Sequence, residues 1–394
     1  MQTPSWLLGP ALLPTGLHSD GAIRVDGDRI TWAGLQADAP ELSGRVLSVG
    51  EQELLAPGFV DMHCHGGGGA GFGSQPEQVL RAADFHARRG TTSVIASLVT
   101  AEPESMLDAV RACGDLCAAG VLAGIHLEGP FLSPVQRGAH DPHWLRPVEL
   151  DLVERLLRAG GGALRMMTYA PELARADRLV DVLLEHGVRP AIGHTDASAS
   201  ITSAALTAAT PGGQRAVVTH LFNAMPPWRS RVAGPVPATL VAAAAGTAVL
   251  ELIADGIHLS PDTVAATFAL AAQGCVALVS DATAAAGEPD GDYRLGSLEV
   301  TVQDGVARLA TSAALAGGTA TLAEIVRGCI AAGLDVEAVL RAASSTPAAA
   351  AGIDAEVGSL QPGLRADVVV LDRDAVVLHV MRAGTWLGDP PDRW

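Results

Sequence analysis

The chain contains no lysine. All 26 basic residues among its 394 are arginine. That absence excludes chemistry that needs a primary amine: a Schiff base with a carbonyl substrate, a lysine over the phosphates of a P-loop, or a carboxylated lysine bridging two metal ions. An excess of positive charge is lacking too. Against the 26 basic residues stand 43 acidic ones, for a formal net charge of −17. Nucleic acid and anionic membranes both select a basic surface, so neither is an expected partner. An anionic small molecule remains compatible, provided a few basic groups gather where it binds.

Cysteine is sparse. Cys64, Cys113, Cys117, Cys275 and Cys329 are odd in number and scattered in spacing. No disulfide framework is expected, and a reducing cytoplasm is the expected compartment. Cys113 and Cys117, at i and i+4 of a helical stretch, read as packing residues rather than a metal site. Neither a secretion signal nor a membrane span is expected. The start, MQTPSWLLGPALLPTG, has no basic leader and is interrupted by prolines, and the apolar window 236–254 carries threonine and glycine.

What is present is enough apolar sequence for a large core, 48% of the residues. Residues 1–55 read as short strands, with GAIRVDGDRITWAG alternating around Asp26-Gly27 as a hairpin does. Eight apolar runs then alternate with helical stretches: APGFVDMHCHG, TTSVIASLVT, VLAGIHLEGPF, LRMMTYAPE, VRPAIGHTDA, RAVVTHLFNAM, TAVLELIADGIH and CVALVSDAT. Eight βα repeats predict an α/β chain with a (β/α)8, TIM-like barrel over residues 56–350. A doubly wound open sheet uses the same alternation, but gives no reason for a polar residue at the end of nearly every strand. Residues 351–394 return to short strands after the helical DVEAVLRAASSTPAAAAG. Segments 1–55 and 351–394 are therefore expected to pair in space as one small β-sandwich domain.

The polar residues at the strand ends carry the chemistry. They are His63 and His65, then His126 and Glu128, His194, His220 and Asp281. A barrel gathers these ends at one face. His63 and His65 point the same way on a strand and reach one ion. Glu128 can bridge two ions, and His194 with His220 completes a three-ligand site that leaves a position open for water. Asp281 is placed to take a proton from that water and return it to a leaving amine. His126, deeper on its strand, reads as a support for the ligands rather than one of them. Asp196 reads as a helix cap, and Cys64 points away from its histidine neighbours. Imidazole and carboxylate ligands suit zinc first, with iron, cobalt and manganese as alternatives.

PGFVDMHCHG, HLEGPFLS, QRGAHDP, GHTDA, THLFNAM, ADGIH, VSDATAAAG and LAGG follow one another in this order. With them the chain resembles the N-acetylglucosamine-6-phosphate deacetylases of the amidohydrolase superfamily. The resemblance implies metal-dependent hydrolysis of N-acetyl-D-glucosamine 6-phosphate to D-glucosamine 6-phosphate and acetate. It implies a main metal site at Glu128, His194 and His220, and a second ion beside it at His63 and His65, so that one or two divalent ions are held. It makes Asp281 the acid/base and His140 the group that polarises the acetamide carbonyl. Asn223 and Ala224 then contact the sugar phosphate, while Arg231 and His258 bind the phosphate, Arg231 reaching the partner's site in a homodimer. Leu315, Ala316 and Gly317 line the acetyl pocket. Other outcomes on this scaffold are an amidase for a related N-acetylated sugar and a non-catalytic sugar-phosphate sensor.

Overall fold

The computed structural model describes residues 4–312 and 314–389. All eight apolar runs form parallel strands: β1 Val60–Cys64, β2 Ser93–Val99, β3 Gly124–Glu128, β4 Leu164–Tyr169, β5 Arg189–Ile192, β6 Ala216–Val218, β7 Ala248–Leu252 and β8 Val276–Leu278. Each pairs with the next in chain order. Backbone just beyond β8 closes the ring onto β1. Asp281 N–H donates to His63 O at 2.9 Å and His65 N–H donates to Ala282 O at 2.7 Å. Helices cover the outside, each turning its apolar stripe inward. Leu150–Ala159, for example, buries Leu152, Val153, Leu156 and Leu157 and leaves its charges to solvent.

The barrel interior is layered. Val60, Met62, Ile95, Met166, Ala191, Val217, Val249 and Ala277 fill the lower part, plugged by Ala348, Ala350 and Ile353. Above them runs a chain of hydrogen bonds from Ser97 Oγ to His126 Nδ1 at 2.9 Å, His126 Nε2 to Thr168 Oγ1 at 2.7 Å, and Thr168 Oγ1 to Thr219 Oγ1 at 2.7 Å. Strict alternation along β1 would place Cys64 inside with Val60 and Met62. The register shift between Asp61 and Cys64 breaks that alternation. It turns His63 to the barrel axis and Cys64 outward, against Val94 and Ala286.

The terminal segments meet as expected. Ser5–Leu13, Gly16–Asp26, Arg29–Leu35, Arg45–Ser48 and Glu53–Pro57 share one sheet with Val368–Asp372, Val377–Arg382 and Thr385–Trp386. The predicted hairpin turns at Gly27-Asp28, between Asp26 and Arg29. The edge strand Arg29–Leu35 also meets the segment leading into Val368–Asp372, with Ile30 N–H donating to Leu364 O at 2.9 Å. The outermost parts of the expected terminal module, residues 1–3 and 390–394, lie outside the described residues. One feature has no counterpart in the eightfold repeat. After β8 a separate three-stranded sheet forms from Gly291–Leu295, Leu298–Gln303 and Val306–Leu309. Its signal is legible in DYRLGSLEVTVQDGVARL, which alternates about turns at Gly296 and Asp304-Gly305.

Candidate metal centre

The strand-end residues converge at one mouth of the barrel. Ligand atoms of His63, His65 and Glu128 lie within 4.8 Å of one another, and so do those of Glu128, His194 and His220. Glu128 stands at the centre. Its Oε1 lies 2.9 Å from His194 Nε2, 3.0 Å from His220 Nε2 and 3.6 Å from His63 Nε2. Its Oε2 lies 3.2 Å from His65 Nε2 and 3.3 Å from His140 Nε2. Asp281 Oδ1 is 3.4 Å from His63 Nε2 and 3.2 Å from His65 Nε2.

The backbone is bent to achieve this. His194, His220 and Asp281 have φ of 47°, 27° and 48°, in the left-handed region that such residues adopt only under constraint. Two glycines make room. A Cβ at Gly138 would stand 3.1 Å from the His194 ring, and one at Gly317 would stand 2.8 Å from Asp281 O. Behind the ligands, Nδ1–H groups are tied down. His63 donates to Glu251 Oε2 at 2.9 Å, His65 to Ser97 O at 3.0 Å and His194 to Gln136 O at 3.0 Å. Each tie leaves the Nε2 lone pair facing the centre.

A divalent cation fits this donor set. His63 and His65 present Nε2 to Nε2 at 3.2 Å, and His194 and His220 at 3.1 Å. Nitrogens that share one ion at about 2.0–2.1 Å sit roughly 3.3 Å apart in a tetrahedral site. The electrostatics agree. Burial works against charge on His65, yet hydrogen bonds and charge from Asp281 and Glu128 push it up to about 9. Burial likewise opposes charge on His63, but Glu251, Glu128 and Asp281 raise it well above its usual value. The carboxylates thus demand positive charge here, which a metal ion supplies as a proton does. Glu128 is itself held well below the usual carboxylate range by His140 and His63, against the opposing effect of burial. Burial pushes His140 down to about 4, leaving it neutral near pH 7.

A cavity of about 320 Å³ opens above the cluster. His65, Glu128, His140, His194, His220, Asn223, Ala224, His258, Asp281, Leu315 and Gly317 line it. His258 Nδ1 lies 2.8 Å from Asp255 Oδ2. Leu295, from the three-stranded insertion, and Ala139 and Ala314, packed against that insertion's core, form an apolar wall. Ala316 turns its methyl into the same core, while its N–H donates to Ala307 O at 3.0 Å. Arg231 is not brought to the cavity of its own chain. It lies in the exposed turn closed by the Arg229–Val232 bridge, beside Trp228 at 61% and Val232 at 68% exposure.

His126 is held between Ser97 and Thr168 and is not among the residues that meet as possible ligands. Cys64 points outward, with Sγ 3.3 Å from His86 Nε2. Asp196 is not the helix cap: Ser198 caps the helix Ala199–Ala208, while Asp196 Oδ1 accepts from Gln136 Nε2 at 3.1 Å. Sequence reasoning missed Glu251 on β7, which is fully buried behind His63. The available signal was a lone carboxylate inside the apolar run AVLEL, since an acid is rarely buried without a partner.

The chain also matches known proteins over most of its length. The sequence model of the amidohydrolase family matches residues 54–387. The chain is 35% identical over 338 residues to the N-acetylgalactosamine-6-phosphate deacetylase of Escherichia coli O157:H7, covering 84% of this chain and 86% of that protein. It is 38% identical over 340 residues to the N-acetylglucosamine-6-phosphate deacetylase of Homo sapiens, covering 83% and 81%. Among solved structures, a mutant N-acetyl-D-glucosamine-6-phosphate deacetylase of Mycobacterium smegmatis, in complex with N-acetyl-D-glucosamine-6-phosphate, superposes with a TM-score of 0.91. It is 38% identical, with 99% of this chain and 100% of that one covered.

Proposed function

The chain belongs to the amidohydrolase family, and from that membership and its metal centre we propose that it hydrolyses N-acetyl-D-glucosamine 6-phosphate to D-glucosamine 6-phosphate and acetate. The observation that carries this reading is the meeting of His63, His65, Glu128, His194 and His220 with Asp281 and His140 beneath one cavity. The enzyme depends on a divalent metal. Glu128, His194 and His220 would hold a first ion, and His63 and His65, together with Glu128, would hold a second. Zinc is the ion we propose for an all-histidine-and-carboxylate set, ahead of iron, cobalt or manganese.

A divalent ion held there supplies Lewis acidity and water that ionises near neutral pH. Asp281 Oδ1 accepts the proton of the attacking water. His140, neutral through burial, holds a proton on Nε2 for the acetamide oxygen as negative charge develops there. Asp281 then delivers its proton to the amine nitrogen as the C–N bond breaks. The apolar wall of Leu295, Ala139, Ala314 and Leu315 suits the acetyl methyl. Asn223, Ala224 and Gly317 orient the sugar, with the backbone of Ala316 between Leu315 and Gly317. His258, its charge supported by Asp255, meets the phosphate.

Arg231 completes the phosphate site from a second copy of the chain. The exposed turn that carries it, with Trp228 and Val232 turned to solvent, supports a homodimer in which this turn enters the neighbour's site. The small β-domain of residues 1–55 and 351–394 braces the barrel of 56–350, a division supported by the pairing of Glu53–Pro57 with Val368–Asp372. The enzyme works in the cytoplasm, a reading supported by five free thiols. Among the described residues no helix is long and apolar enough to cross a membrane.

Acetate release tests the reading. Release from N-acetylglucosamine 6-phosphate and little from N-acetylglucosamine supports it; equal release from both removes the phosphate from recognition. The similarity to the E. coli protein favours one further substrate, N-acetylgalactosamine 6-phosphate, which differs only in the orientation of one hydroxyl.

A further inference from the structure

Glu251 sits on β7 with no exposed surface. Its inward neighbours, Val249 on the strand and Ile253 just beyond its end, are apolar core residues. A carboxylate removed from water at such a place is destabilising unless donors meet it. Two do, and both belong to residues of the metal centre. Glu251 Oε2 accepts from His63 Nδ1–H at 2.9 Å and from the His220 backbone N–H at 3.1 Å. The Glu251 backbone carbonyl accepts the next N–H, that of Leu221, at 2.9 Å. The other carboxylate oxygen, Oε1, has no hydrogen-bond partner among the described residues.

The four histidines are anchored unequally. His65 and His194 donate Nδ1–H to backbone carbonyls, of Ser97 and Gln136. His63 alone donates to a carboxylate. His220 has no partner at Nδ1 and is held instead through its backbone, at a φ of 27° that favours release. Glu251 is the group that touches both.

We infer that Glu251 is a positioning residue that yokes the two halves of the metal centre, fixing the His63 ring through Nδ1 and the His220 backbone through its N–H with one oxygen. It sets the His63 tautomer, so that the Nε2 lone pair faces Glu128 and Asp281. It also keeps the end of β6 in the bend that carries His220 toward the same point. The inference rests on the metal-site reading above.

The test is zinc affinity, measured by chelator competition on purified protein first stripped of metal, for the unaltered chain, Glu251→Gln and Glu251→Leu. Removing a partner behind a metal-bound histidine typically lowers affinity about 10–100-fold, and that loss is expected for Glu251→Leu. Glu251→Gln keeps an oxygen able to accept both N–H groups and should recover much of it. The metal-free melting temperature is the control: Glu251→Gln keeps an acceptor for both N–H groups and should melt close to the unaltered chain, whereas Glu251→Leu leaves two buried donors unpaired and is read against it. Zinc affinity of Glu251→Leu within about threefold of the unaltered chain, or affinity and metal-free stability falling together in both variants, would overturn the inference. Should the variants fail to fold, the unaltered chain decides: nitrogen NMR of its labelled imidazoles must find the His63 proton on Nδ1 in the zinc-loaded protein, and a proton on Nε2 there overturns the proposal. If the unaltered chain binds no divalent ion, the metal-site reading itself has failed, which is a separate result.

Discussion

Glu128 Oε1 lies 2.9 Å from His194 Nε2, and the other oxygen of the same carboxylate lies 3.2 Å from His65 Nε2. One side chain therefore serves both halves of the metal centre. Glu128→Gln should leave the purified chain with less than one bound ion. It should reduce acetate release by more than the roughly 100-fold expected for loss of a partner behind a ligand. Metal analysis beside the assay checks this; full metal content in the variant would contradict the shared role.

Asp281 is expected to act on protons rather than to retain metal. Burial opposes its ionisation, but His63 and His65 hold its carboxyl well below the usual range, so at neutral pH it is ionised and has a lone pair free for a proton. Asp281→Asn should cut kcat by about 10²–10⁴-fold, with metal content preserved. Near-normal turnover in that variant would remove Asp281 from the mechanism.

The phosphate contact gives a pH signature. Burial works against charge on His258, but the hydrogen bond and charge of Asp255 outweigh it and raise the ring above its usual 6.5. A raised value means the cation persists to higher pH than on a free imidazole and is lost as pH climbs through that value. KM for the phosphorylated sugar should be flat while the ring is charged and rise toward the alkaline side as it loses its proton. In His258→Gln, KM at neutral pH should be about 10–100-fold higher, the worth of one hydrogen bond between charged groups, and the alkaline rise should vanish. A rise of unchanged size in the variant would exclude His258 from phosphate binding.

Arg231 is expected to act across the subunit boundary. Arg231→Ala alone should raise KM, and Asp281→Asn alone should be inactive. Dimers mixed from the two contain one site with an intact Asp281 and the partner's Arg231. They should release acetate at low substrate concentration better than either parent. No gain over the sum of the parents would place Arg231 outside the neighbour's site.

Residues whose role depends on strand direction were legible in the sequence. The eight apolar runs predicted eight parallel strands in the right order, and their polar ends predicted His63, His65, Glu128, His194, His220 and Asp281 at one mouth. Local periodicity gives which way a side chain faces, and barrel closure does the rest. What periodicity does not give is a partner distant in sequence. Glu251 lies 188 residues from His63, and nothing local to AVLEL names that partner. The β1 bulge is similarly hidden: strict alternation and the observed register both fit VDMHC until β2 is seen beside it. Asp196 read as a cap because Asp caps well, yet Ser198, two residues on, has the hydroxyl at the right distance from Ile201 N–H. The three-stranded insertion has its own alternation in the sequence, but it lies outside the βα rhythm of the barrel.

The central claim is that a divalent ion at Glu128, His194 and His220 drives hydrolysis of a sugar-phosphate amide. Acetate release from N-acetylglucosamine 6-phosphate, followed before chelator treatment, after it, and after zinc is returned, tests this most directly. The account predicts release that disappears with the metal and returns with it. Release that survives complete removal of metal, or no release from the metal-loaded chain, would contradict it.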